Sequence, residues 1–267
     1  AVLQKYYMDS LPFLQANFYS TLIEGRLREE EIPRYLSNYQ ISFEGPFYCC
    51  LVVHTSSSQV PENMNPLLLA ASVQKQAREH LGEKWQAKCF SYLENTVLIA
   101  QLQSKNEVPE LTDECDRFCR YARRIIGAVV TVGIGQVCER LTGLSQSYSS
   151  AREAVSYRVI YGVSRAINMK EIAPHEISKP DGTPDTELFS LFGMIRLNSK
   201  EDIVGAVKRY MKHISCPAQS LQQYHIDLMD LISALYRFAV NNDIEVPDFT
   251  GNIRNLYIRI LDLEPEA

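Results

Sequence analysis

Apolar residues recur at helical steps through the start of this chain. Leu11, Leu14, Phe18 and Leu22 stand three and four residues apart, which predicts a long helix over residues 2–27, with Pro12 starting or kinking its second part. Residues 29–39 give a second, short helix with Ile32, Tyr35, Leu36 and Tyr39 on one side. Gly45-Pro46 breaks that pattern, and residues 47–54 (FYCCLVVH) are then almost continuously apolar, as in a central strand covered on both faces. Residues 55–58 read as a loop, and helical spacing returns over 66–81. Two strand-like runs, 85–93 and 96–103, surround Glu94-Asn95, a hairpin candidate. A helix over 108–126 leads into the β-branched strand 129–134, where Gly133 and Gly135 permit a turn or a close approach to a neighbour. The next helix takes Ser147 or Ser149 as its cap, carries Tyr148, Ala151, Ala154, Val155 and Ile160 on its apolar side, and closes at Gly162. A last strand covers 165–169.

The order is strand, helix, strand, strand, helix, strand, helix, strand. Alternation with one tight hairpin predicts an α+β fold, a mixed sheet with helices packed on it. A linker is placed at 173–185 (APHEISKPDGTPD), which carries three prolines and a glycine. From residue 186 the signals are helical only. The clearest is a helix–helix seam in which Leu221, Tyr224, Leu228, Leu231, Leu235 and Phe238 alternate steps of three and four. Ile226, Met229, Ile232 and Tyr236 add apolar surface beside it, so this helix is expected to be well covered. Another helix is expected over 256–263. The domain reading is a helical lead-in at 1–44, a mixed domain at 45–172, the linker, and a helical domain at 186–267; no internal repeat is present.

Composition narrows the picture. With 267 residues, 46% hydrophobic and 22% charged, the chain is ordinary and globular, and long enough for a sizeable core. A net charge of −5 argues against direct nucleic-acid binding by these residues. The longest apolar run, 125–134, is too short to span a bilayer, and no signal peptide opens the chain. The seven cysteines, odd in number and set on apparent strands and helices, suit a reducing compartment. A soluble cytoplasmic protein is the expectation.

Candidate chemistry is sparse. Cys115 and Cys119 share a helix face as half a metal site would, yet read better as small buried packing residues. His213, Cys216 and His225 lack a fourth zinc ligand. Cys49 and Cys50 are adjacent on a strand and point to opposite faces. Arg117, Arg120, Arg123 and Arg124 are interleaved with Asp113, Glu114 and Asp116, the pattern of a solvated face. Gly133-x-Gly135 alone is a weak nucleotide signal, and neither a phosphate loop nor a Gly-x-Ser-x-Gly elbow occurs.

One resemblance organises these features. The Thr-Val-Gly-Ile-Gly strand at 131–135, the Ser-Tyr-x-x-Ala-x-x-Ala helix at 147–154 and the Tyr-Arg…Tyr-Gly ending at 157–162 resemble the last third of a degenerate GGDEF-type domain. That variant sits in the middle of AraC-type bacterial response regulators, and residues 14–28 (LQANFYSTLIEGRLR) resemble the helical lead-in that follows their receiver. The resemblance covers roughly 45–172 and implies a ferredoxin-related palm. An active member places Gly-Gly and two carboxylates at the hairpin between its second and third strands, and an Asp at the end of the first. Here the hairpin reads Tyr92-Leu93-Glu94-Asn95-Thr96 and the strand end Val53-His54-Thr55-Ser56. A two-metal phosphoryl-transfer site needs several carboxylates, and these positions supply none beyond Glu94.

The resemblance therefore implies a non-catalytic regulatory module with no catalytic residue, metal or cofactor. Through flanking domains the parent protein would take phosphate from a sensor histidine kinase and bind promoter DNA, with homodimer formation and terminal helices as signal carriers. A small-molecule sensor, with Tyr92 and Trp85 near the hairpin, is the alternative. A divergent nucleotide cyclase is the third reading.

Overall fold

The apolar run FYCCLVVH becomes β1 (Phe47–Thr55), the middle strand of a five-stranded sheet ordered β2-β3-β1-β4-β5. The computed structural model describes residues 2–56, 60, 64–168, 170, 188, 191–193, 195, 200–215, 220–242 and 244. β2 (Lys88–Tyr92) and β3 (Asn95–Leu102) form an antiparallel hairpin, and β1 lies antiparallel to both β3 and β4 (Val130–Ile134). β5 (Ala166–Asn168) runs parallel to β4. The sheet is mixed and the architecture α+β, as the pattern predicts.

Alternate residues of β1 serve two cores because a strand's side chains alternate faces. Cys49, Leu51 and Val53 pack with α3 (Pro66–Gly82) and α4 (Val108–Tyr121). Tyr48, Cys50 and Val52 pack with α1 (Val2–Ile23), α2 (Ile32–Asn38) and α5 (Leu144–Ser156). The lead-in is thus part of the palm's own core: Phe18, Tyr19, Leu22 and Ile23 are all buried there. The chain divides into two compact units, residues 1–158 with 162–173, and residues 159–161 with 174–266.

Several boundaries differ from the sequence pattern, each for a local reason. α1 stops at Ile23 because Gly25, at φ +69°, lets the Gly25 and Arg26 N–H groups reach back to Leu22 and Thr21 carbonyls. The second strand starts at Lys88 and not at residue 85. Gln86 is left-handed (φ 44°) and the Ala87 N–H bonds the Gly82 carbonyl, so residues 83–87 turn while Trp85 drops its ring into the core. The helix over 108–126 is α only to Tyr121, after which Ala122–Ile126 widens into a π turn. α5 begins at Leu144 with no side-chain cap, so neither Ser147 nor Ser149 caps it. Gly162 closes a separate one-turn helix, α6 (Arg158–Tyr161).

In the second unit, α7 (Lys200–Ile214) packs Ala206, Tyr210 and Ile214 against Tyr224, Leu228 and Leu231 of α8 (Leu221–Asn241). The Ser220 hydroxyl caps α8 by accepting the Gln223 N–H at 3.1 Å. Leu221 and Leu235 border this core, and Phe238 stacks on Phe192 with centroids 4.9 Å apart. The seam therefore faces helices of its own chain. Met229 and Ile232 are covered as expected, whereas Ile226 and Tyr236 stay exposed. The expected linker at 173–185 and terminal helix at 256–263 lie outside the described residues. No helix among the described residues is long and apolar enough to cross a membrane.

Candidate functional site

The antiparallel register of β1 and β3 pairs Val53 with Thr96, and so carries His54 to the base of the β2–β3 hairpin. Leu93 and Glu94 form its two-residue turn, both at positive φ (45° and 63°), the left-handed geometry such hairpins require. Neither is a Gly, Asn or Asp, the residues that take this geometry at least cost. Tyr92 and Asn95 close the turn as a pair. Asn95 Nδ2 donates to the Leu93 carbonyl at 3.0 Å, which leaves its Oδ1 facing His54 Nδ1 at 3.0 Å.

This is where the first strand's end and the hairpin converge, and a His–Asn pair occupies it. Glu94 is exposed on the turn, and Leu93 is 61% exposed. Among the described residues no group of three His, Cys, Asp or Glu side chains could hold a metal ion. An imidazole and an amide meet at this convergence, and both offer hydrogen bonds.

The hairpin connects instead to the lead-in. The Tyr92 hydroxyl donates to Glu24 at 2.7 Å, and Glu24 pairs with Arg26 at 3.0 Å. That hydrogen bond, followed by burial, pushes the Tyr92 phenol up. Its ring stands edge-on to Tyr148 of α5 at 5.5 Å. Tyr92 therefore ties the hairpin to the end of α1 and to α5. Trp85 does not share a cleft with it: Trp85 is buried in the core of α3 and α4, where its Nε1 has no hydrogen-bond partner among the described residues.

The other sequence candidates fall in packing roles. Gly133 and Gly135 lie where α5 meets the sheet so closely that an added Cβ would stand 2.0 Å from the Ala151 and Ser147 carbonyl oxygens, respectively. Cys49 and Cys50 face opposite cores, their thiols directed at the Gly135 and Leu144 carbonyls. Burial pushes the Cys49 thiol up to about 12 and raises those of Cys50, Cys115 and Cys119, so none is a ready nucleophile. Arg120, Arg123 and Arg124 are exposed, and Arg117 pairs with Glu114 at 3.0 Å. Burial lowers the His225 pKa, and Cys216 lies outside the described residues.

Three polar residues that periodicity passes over hold the palm together. Ser147 accepts the buried Cys50 N–H at 2.9 Å, Asp116 accepts the Ala166 N–H at 2.5 Å, and Gln101 accepts from the Glu44 and Gly45 N–H groups while donating to the Gln86 carbonyl. For Gln101 the available signal was a lone polar residue at the end of an apolar run, VLIAQL; Ser147 and Asp116 lie among other polar residues and carry no such signal.

A comparison with family models agrees with the fold. A family model described as a GGDEF-like domain matches residues 24–157, half of the chain. A comparison with curated proteins finds no match.

Proposed function

Because the chain belongs to the GGDEF-like domain family, we propose that it is a non-catalytic signal-coupling region of a bacterial AraC-type transcriptional response regulator. The His54–Asn95 pair carries the non-catalytic half of this reading: where a cyclase gathers carboxylates around its metal ions, this palm holds a hydrogen bond between a histidine and an amide. Two features favour coupling. α1 is buried in the palm's own core, and Tyr92 links its end to the hairpin through Glu24. A shift of the lead-in would therefore be felt across the sheet.

In this reading the protein works in the cytoplasm. An upstream receiver takes phosphate from a sensor histidine kinase, and downstream helix-turn-helix domains bind promoter DNA, whose half-site spacing makes a dimer's geometry consequential. Tyr224, Leu228 and Leu231 are spent on a core within the chain, so self-association would use other surface, such as exposed Ile226 and Tyr236 on α8.

Incubation with GTP or ATP and Mg²⁺ or Mn²⁺ is expected to give no cyclic or dinucleotide product. Product formation lost in Glu94→Gln would replace this reading with a divergent cyclase. The regulator half is tested by the coding DNA on either side, which should encode a receiver and paired helix-turn-helix motifs.

A further inference from the structure

A cleft of about 560 Å³ opens along the outer edge of β2, walled by α1, the segment between α2 and β1, and α3. β2 is an edge strand, and its hairpin register decides which backbone groups are already used. The two-residue turn makes Tyr92 and Asn95 a hydrogen-bonded pair, so Phe90–Val97 and Lys88–Ile99 are hydrogen-bonded pairs too. Cys89 and Ser91, the intervening residues, turn their N–H and C=O groups outward, and both line the cleft.

A cation stands on each side of that edge. Arg78 reaches the Cys89 thiol from α3. Lys88 projects to the opposite face, its ammonium 5.8 Å from the Phe43 ring centroid. Among the described residues neither makes an ion pair and no carboxylate lines the cleft; Glu44, whose field Lys88 feels, is exposed outside it. Burial pushes the Lys88 ammonium down, a cost that a bound anion would offset. Tyr19 and Phe90 give an apolar wall, and Gln74 an uncharged polar one.

We propose that this cleft binds a small organic oxyanion, its carboxylate or phosphate held between Arg78, Lys88 and the outward amides of Cys89 and Ser91, its body against Tyr19 and Phe90. The volume suits a small molecule. The site lies along the strand edge and stands independently of the regulatory reading.

The test is an amide NMR titration of the whole chain with benzoate and with phenyl phosphate, benzyl alcohol serving as the neutral analogue. Saturable shifts at Cys89 and Ser91 are expected with at least one anion, and the tighter one identifies the headgroup. Affinity should fall about tenfold or more in Arg78→Gln and in Lys88→Gln, each losing a charge-assisted contact. Both positions reach solvent, so the variants' spectra should superimpose on the parent's elsewhere. No saturable shift with either anion, equal binding of benzyl alcohol, or undiminished affinity in the folded variants would overturn the proposal.

Discussion

Two regions of the palm, the contact of α5 with β4 and the β2–β3 hairpin, are held in opposite ways. At the contact of α5 with β4, the fold leaves no room: Gly133 and Gly135 bring strand and helix backbones together, and Ser147 satisfies the buried Cys50 N–H. The hairpin turn carries no glycine. Leu93 and Glu94 take up left-handed geometry in solvent, and His54 meets Asn95. The first region is constrained by backbone atoms in direct contact. The turn of the second is exposed to solvent.

Alkali should expose this contrast most strongly. Cys49 titrates at about 12 in the fold, and Cys50, Cys115 and Cys119 are also raised by burial. Unfolded thiols ionise near about 8.5. The folded pKa values lie above the unfolded one, so this stability is full below about pH 8.5 and is lost as pH rises toward the folded values. Each thiol contributes a slope of about 1.4 kcal/mol per pH unit. Urea midpoints measured from pH 8 to 11 should fall steeply, and a flat profile would mean the thiols are not sealed in the core.

Gly133→Val comes next. Its side chain meets Ala151 backbone, which cannot rotate away, so a loss of more than about 3 kcal/mol is expected in urea unfolding. Ser147→Ala should cost about 1–3 kcal/mol by stranding the Cys50 N–H in the core. Replacing Leu93-Glu94 with Asn-Gly should instead raise the melting temperature, by a gain of up to about 1 kcal/mol, because both residues tolerate positive φ. A loss in that last variant would show the hairpin to be under a constraint as strict as that on α5, and the contrast would fail.

Much of this was legible in the sequence. The apolar run 47–54 marked a central strand, and alternation of strands and helices marked the mixed sheet. The limits were local too. Trp85 resembled a strand residue by type, yet a left-handed Gln86 sets it in a turn. Serines near α5 looked like caps, yet Ser147 is turned inward to the strand beneath.

What the sequence determined by itself was the type and order of the main strands and helices of the mixed sheet, because side-chain period and residue chemistry are local properties. Only the tertiary structure decided who meets whom. It brought His54 to Asn95, closed Asp116 onto β5, turned the Leu221–Phe238 seam toward α7, and left the outer edge of β2 open between two cations. Such contacts join residues tens of positions apart, and their register is set by the packing of whole faces, which no local period records.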